Sequence, residues 1–169
     1  MHTAAVRPSE TVAVIGCGGI GLSAINGAAI AGAGRIIAVD RFASKLDLAR
    51  SFGATDVINA AETDPVEAVR ELTGGGVHHS FEAIGLKVTA EQAFAMLGRG
   101  GTATIIGMIP VGVKIEIEGR EFLGEKRIQG SLMGSNHFPV DMPRLVDFYL
   151  RGHLKLDELI TGASTRADQ

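Results

Sequence analysis

Val12-Ala13-Val14-Ile15-Gly16-Cys17-Gly18-Gly19-Ile20-Gly21 runs from four apolar residues straight into a G-x-G-x-x-G string, and the stretch from Ile20 to Ala33 that follows is built of small, helix-compatible residues. The order predicts a buried strand, a tight turn and a helix. Three glycines at this spacing have separate tasks: Gly16 allows the turn, Gly18 lets a pyrophosphate approach the backbone, and Gly21 lets the helix pack on the strand. The free N–H groups of the helix start would then face the phosphates. Arg35-Ile36-Ile37-Ala38-Val39 reads as a second buried strand ending in Asp40. Asp40 follows Gly21 at close to the interval of about 20 residues expected of a carboxylate that binds ribose hydroxyls. Together these features imply a site for a dinucleotide.

Composition limits the alternatives. The 169 residues are 46% hydrophobic and 21% charged, with a formal net charge of −3, and this is enough apolar material for one core and one domain, 1–169. The acidic balance and the lack of a basic stripe interleaved with aromatics argue against nucleic acid or an anionic membrane surface as partner. Met1 to Ala5 lacks the charged and apolar regions of a leader, and the apolar stretches are too short and glycine-broken to span a membrane. A cytoplasmic protein is expected. Cys17 is the single cysteine, so no internal disulfide and no cysteine-rich zinc site can be built from this chain.

Further along, strands and helices alternate. Ser44 is a candidate cap for a helix ending at Gly53, and Asp56-Val57-Ile58-Asn59 reads as a third strand. Asp64-Pro65 opens a helix with Val66, Val69 and Leu72 on one face, stopped by Gly74-Gly75-Gly76. Val77 to Glu82 is a fourth strand. A helix over 88–97 leads into the turn Gly98-Arg99-Gly100-Gly101 and a fifth strand from Thr102 to Gly107. Arg127 to Leu132 completes six strands, and Asp141-Met142-Pro143 starts a last helix with Leu145, Phe148 and Tyr149 inward and Gly152 as its stop. The pattern predicts an α/β fold: a Rossmann doubly wound, six-stranded parallel sheet of order 3-2-1-4-5-6. Its ligand would lie over the carboxyl ends of the strands, beside the loops after Ile15, Asp40, Glu82 and Gly107.

The motifs in combination resemble the coenzyme-binding domain of the zinc-dependent medium-chain alcohol dehydrogenases. The resemblance rests on Val14 to Ala24, Arg35 to Asp40, Lys45, Gly53-Ala54-Thr55, Gly74-Gly75-Gly76-Val77, Phe81-Glu82-Ala83-Ile84-Gly85, Ile105-Ile106-Gly107-Met108, Ile128 to Ser135 and Leu156 to Thr161. It implies that the zinc ligands reside in a separate catalytic domain outside these residues, so the chain is expected to be the cofactor-binding fragment of a two-domain enzyme. In the intact enzyme, hydride would pass between nicotinamide and an alcohol or aldehyde.

Carried over residue by residue, the resemblance puts Gly16, Gly18, Gly19, Ile20 and Gly21 at the pyrophosphate and Asp40 and Lys45 at the adenosine ribose. The charge of Asp40 would repel a 2′-phosphate and favour NAD over NADP. Arg41 departs from the usual apolar residue at the adenine; it could stack on that base or tolerate a 2′-phosphate. Leu86 stands where many relatives have arginine. Ala83, Ile84 and Gly85 would open into the crevice, Ile106 and Met108 would lie against nicotinamide, and the backbone from Ser131 to Met133 near its carboxamide. The alternation over 111–117 predicts an exposed strand, and the resemblance implies a homodimer through Val113–Ile117 and Arg127–Met133. Two other readings remain open: a zinc-free, NADPH-dependent quinone or enoyl reductase domain, which Asp40 disfavours, and a non-catalytic module that senses NAD(H).

Cys17 has no base near it in sequence, and packing is its expected role. His78 and His79 are adjacent at a strand start and point to opposite faces, which prevents easy chelation of one ion. Tyr149 has His153 four residues on, so the Tyr-x-x-x-Lys arrangement of short-chain dehydrogenases is absent.

Overall fold

The computed structural model describes residues 3–160. Two compact units are present, the first ending at Asn136 and the second beginning at His137.

The first unit is built on six parallel strands: β1 (Thr11–Ile15), β2 (Arg35–Asp40), β3 (Asp56–Asn59), β4 (Val77–Glu82), β5 (Leu97–Ile105) and β6 (Arg127–Gly130). They lie in the order β3-β2-β1-β4-β5-β6, as expected. The central strands are apolar on both faces: Val12, Ala13, Val14, Ile36, Ile37 and Ala38 are all buried, the pattern of a parallel sheet covered on each side. The helices are α1 (Gly19–Ile30), α2 (Ala43–Ser51), α3 (Pro65–Thr73) and α4 (Lys87–Ala95). Because β1 pairs with both β2 and β4, the chain reverses its direction of winding between them. That switch opens a crevice at the carboxyl ends of the two strands.

Local chemistry explains the boundaries. Asp64 caps α3, its Oδ1 accepting from the N–H groups of Val66 at 2.9 Å and Glu67 at 3.0 Å; Pro65 occupies the first turn and Gly74 ends the helix in the left-handed region, as the sequence predicts. Ser44 is not a cap. Helix α2 starts at Ala43 after Phe42, because Asp40 Oδ1 takes the Phe42 N–H at 3.1 Å and turns the chain into the helix earlier. The turn expected at Gly98–Gly101 is part of β5, which pairs with β4 through a register shift between Val77 and His79; glycines let the strand bulge without leaving the sheet.

The strand expected over 111–117 does not form. Side chains of α4 hold this segment in place of a ladder: Glu91 Oε1 accepts the Glu116 N–H at 2.8 Å, and Lys87 Nζ donates to Glu116 Oε2 at 2.8 Å. The adjacent histidines diverge as expected. His78 Nδ1 lies 2.8 Å from Thr11 Oγ1, while His79 Nε2 lies 2.8 Å from Glu10 Oε2.

In the second unit, α5 (Phe138–Leu150) begins three residues before the predicted Asp141. The Asp141 carboxylate reaches back to accept the His137 N–H at 2.6 Å, so it acts from inside the first turn and leaves Pro143 within the helix. Gly152 ends the helix with φ +73°. Leu145 and Phe148 are half-buried. Tyr149, expected inward, is exposed and donates to the Asp157 carboxylate at 3.0 Å.

Candidate functional site

The crevice between β1, β2 and β4 is a cleft of about 470 Å³, within the range of small-molecule and cofactor sites. Gly16, Gly18, Asp40, Arg41, Lys45, Ala83 and Ile84 line it, bringing together seven of the residues expected there from the loop after β1, the end of β2 with the start of α2, and the loop after β4.

The glycine turn forms one wall. Gly16 donates its N–H to Val39 O at 2.8 Å and sits at φ +94°, a conformation open to glycine and strained for other residues. A Cβ on Gly21 would fall 1.7 Å from Gly16 O, so α1 can lie on the turn only with glycine at 21. Nothing lies within 4 Å of where a Cβ on Gly18 or Gly19 would be. Those two positions, with exposed Ile20, leave the start of α1 accessible.

Asp40 forms the floor. Its side chain ends β2 and is only 7% exposed, with Oδ2 accepting the Cys17 N–H at 2.8 Å and Oδ1 accepting the Phe42 N–H at 3.1 Å. Each oxygen keeps lone-pair capacity for a further donor. The carboxylate therefore ties the glycine turn to β2 and can receive a vicinal diol at the same time.

The far wall is held by Glu82, the last residue of β4. Its side chain is wholly buried, and Oε1 accepts from Ile84 N–H at 2.9 Å, Gly85 N–H at 2.8 Å and the Thr89 hydroxyl at 2.8 Å. Its main-chain oxygen takes the N–H groups of Ile106 at 2.9 Å and Gly107 at 3.0 Å. One residue thus fixes the loops after β4 and β5, and through Ile84 it sets the width of the cleft opposite Gly16. Sequence reasoning placed Glu82 at a strand end and gave it no task. Its acceptor role depends on a fold-back of the next seven residues that no local pattern displays.

Phe42 was also missed. Arg41 and Lys45 both stand over its ring, at 5.6 and 5.2 Å from the centroid, so an aromatic plate carrying two cations flanks Asp40. Ile15, Val39, Ala60, Ala61, Leu86, Thr89 and Gln92 complete the lining.

Other expected residues lie apart from this cleft. Gly85 is buried behind Ile84 against the backbone of Met108. Ile106 is half-buried, and Ser131 continues the sheet by donating its N–H to Ile105 O at 3.0 Å. Met108 is 89% and Met133 75% exposed; neither touches the cleft.

Cys17 is buried, and burial first, then the charge of Asp40, pushes its thiol up to about 12. At neutral pH it is a packed thiol with no nucleophilic character. Iodoacetamide should leave the folded chain unmodified over an hour at pH 7.5 and alkylate it fully in denaturant, as mass spectrometry would read; rapid modification of the folded chain would contradict this placement. Among the described residues, no group of three His, Cys, Asp or Glu side chains could hold a metal ion, and no helix is long and apolar enough to cross a membrane.

Comparison with known proteins agrees with this geometry. The model of the zinc-binding dehydrogenase family matches residues 19–151. A probable S-(hydroxymethyl)glutathione dehydrogenase of Schizosaccharomyces pombe is 38% identical over 95% of this chain and 43% of its own length, and an S-(hydroxymethyl)glutathione dehydrogenase of Synechocystis is 39% identical over 95% and 44%. The chain thus spans less than half the length of these curated relatives. Among solved structures, benzyl alcohol dehydrogenase from Acinetobacter calcoaceticus superposes with a TM-score of 0.90 at 35% identity, covering 93% of this chain and 44% of the other. A zinc-binding dehydrogenase from Sinorhizobium meliloti bound to NADP superposes at 0.86 with 34% identity, covering 94% and 46%. With a family model matched across most of its residues and a glycine turn, strand-end acid and sheet order to go with it, the chain belongs to the zinc-binding dehydrogenase family.

Proposed function

We propose that this chain is the NAD(H)-binding half of an alcohol-dehydrogenase-type oxidoreductase, in which hydride passes between nicotinamide and an alcohol or aldehyde. The observation that carries the proposal is Asp40, buried on the floor of the cleft with both oxygens anchored by backbone N–H groups and lone pairs still to offer. A carboxylate so placed accepts two ribose hydroxyls and repels a phosphate ester at the 2′ position.

The open backbone at Gly18 and Gly19 fits the pyrophosphate, since no side chain stands between it and the cleft. Phe42 with Arg41 offers a flat, cationic edge for the adenine. Bound there, NAD supplies the hydride acceptor, a chemistry that belongs to the cofactor. The chain's own residues bind and orient: Glu82 holds Ile84 in place, and Ile84 with Leu86 keeps the far wall apolar. Ile106, Met108, Ser131 and Met133 are assigned to the nicotinamide end on their position at the carboxyl ends of β5 and β6. Substrate activation by zinc is assigned to the rest of the enzyme, in keeping with the family.

The same reading includes a homodimer formed along the edge of β6, through Arg127–Met133 and Val113–Ile117. Its support is the exposure of Val113, Leu132 and Met133 beside a strand paired on one side among the described residues. A cytoplasmic setting accords with a lone, reduced thiol.

Arg41 lining the cleft, and a relative bound to NADP, give the competing cofactor a specific foothold. Titration of the chain with NADH and NADPH, followed by nicotinamide fluorescence, separates the two. Tighter binding of NADH, by about tenfold or more for a buried like-charge contact, is expected. Tighter NADPH would shift the assignment to Arg41 and to the reductase branch of the superfamily.

A further inference from the structure

At the opposite end of the strands from the crevice lies a second cleft, of about 320 Å³, whose charge is unlike that of the rest of the chain. Arg70 of α3, Arg99 of β5, Arg120 of the 3-10 turn Gly119–Gly124 and Lys126 before β6 all line it. Glu121 is the only carboxylate among the lining residues, and Lys126 Nζ claims it at 2.5 Å. Arg70, Arg99 and Arg120 have no ion-pair or side-chain hydrogen-bond partner among the described residues. Three guanidinium groups thereby stand without a direct ion pair in one depression of a molecule whose formal charge is −3.

The surroundings are arranged to keep that field positive. Lys126 is only 8% exposed and stands 5.6 Å from the Phe94 ring centroid, so its ammonium and Glu121 form a fixed pair. The hydrogen bond and charge of Lys126 chiefly hold the Glu121 carboxyl below its usual range, and Arg70 and Arg120 add to the effect. Helix α3 ends nearby, and its carbonyl end would oppose an anion, yet the carbonyls from Val69 to Leu72 are already taken. Thr73 Oγ1 donates to Val69 O at 2.7 Å, Gly75 N–H to Arg70 O at 3.0 Å, Gly74 N–H to Glu71 O at 3.4 Å, and the Arg35 guanidinium to Leu72 O. Gly75 has nothing within 4 Å of its missing Cβ, so backbone is reachable from the cleft.

We propose that this cleft is a second ligand site, for a small molecule bearing a phosphoryl or pyrophosphoryl group, separate from the coenzyme crevice. Guanidinium forks match phosphoryl oxygens two at a time, and three of them around one depression suit a compact polyanion better than an extended nucleic acid strand. The six residues of β4 set the two sites roughly 20 Å apart, so both can be filled at once.

Thermal melts of the chain at constant ionic strength, with inorganic pyrophosphate replacing potassium chloride, test this. A saturable rise in Tm of about 4 °C is expected. It should vanish in Arg99→Gln/Arg120→Gln, persist in part in Arg99→Lys/Arg120→Lys, and leave the NADH titration of both variants unchanged. Glycerol 3-phosphate as a second probe distinguishes the sources: an equal rise identifies a phosphate ester as a ligand, and none restricts the site to the inorganic anion. No saturable rise in the native chain, or an equal rise in the glutamine variant, would overturn the proposal.

Discussion

Gly21→Ala should lower the melting temperature by about 10 °C and remove measurable NADH binding. The added Cβ falls 1.7 Å from Gly16 O, a backbone atom that cannot swing aside as a flexible side chain could. Relief requires α1 to rise from the turn, which separates Leu22 and Ile25 from the core they fill, or requires Gly16 to give up its N–H bond to Val39 O. Overpacking against backbone belongs at the severe end of core substitutions, about 3 kcal/mol or more. For a domain of this size each kcal/mol corresponds to about 2–4 °C. Circular dichroism melts and a fluorescence titration read both consequences. A variant melting within a degree of the native chain would show that the helix does not rest on the turn as described.

Glu82→Ala is expected to be comparably damaging for a different reason. Three donors, the N–H groups of Ile84 and Gly85 and the Thr89 hydroxyl, converge on one oxygen of a fully buried side chain. Alanine takes this acceptor from the Ile84 and Gly85 N–H groups, while the Thr89 hydroxyl keeps Leu86 O at 3.0 Å, at about 1–3 kcal/mol for each group left unsatisfied before any relaxation. Glu82→Gln keeps the accepting oxygen and puts its amide where Oε2 has no hydrogen-bond partner, so it should cost about 1–3 kcal/mol for that one unsatisfied group, less than alanine. The pair of variants separates loop positioning from bulk destabilisation. In Glu82→Gln, NADH affinity should stay within about threefold of the native chain; in Glu82→Ala, well below the melt, it should fall more than tenfold because Ile84 no longer holds the far wall. Equal affinities in the two variants would remove Glu82 from the site.

The fold was readable because its signals are local or periodic. The apolar runs ending at Ile15 and Val39, the glycine turn and the cap at Asp64-Pro65 each declare an element within a few residues, and their alternation leaves few topologies. The lining of the candidate cleft was readable where a motif has fixed spacing, as with Gly16, Gly18 and Asp40. It was opaque where partners come from distant segments. The alternation at 111–117 satisfies the strand pattern, yet Lys87 and Glu91 on α4 capture that backbone first. Glu82 acquires its role only when the loop after β4 folds back on it. The basic cleft assembles from α3, β5, a 3-10 turn and the entry to β6, so no linear stripe announces it. Phe42 was hidden by its neighbours, since Asp40 and Arg41 attract attention in sequence while the ring on which the cations rest does not.

One comparison tests the coenzyme assignment most directly: NADH and NADPH affinities of the native chain beside those of Asp40→Ala. On the proposed assignment, Asp40 accepts the ribose hydroxyls and repels a 2′-phosphate, which makes NAD the preferred coenzyme. The substitution should therefore weaken NADH by about 10- to 100-fold, the loss of one or two hydrogen bonds to a charged group, while NADPH binding is unchanged or strengthened. A variant that binds NADH as the native chain does, or that loses both coenzymes equally, would contradict the claim that the buried carboxylate at the end of β2 selects NAD.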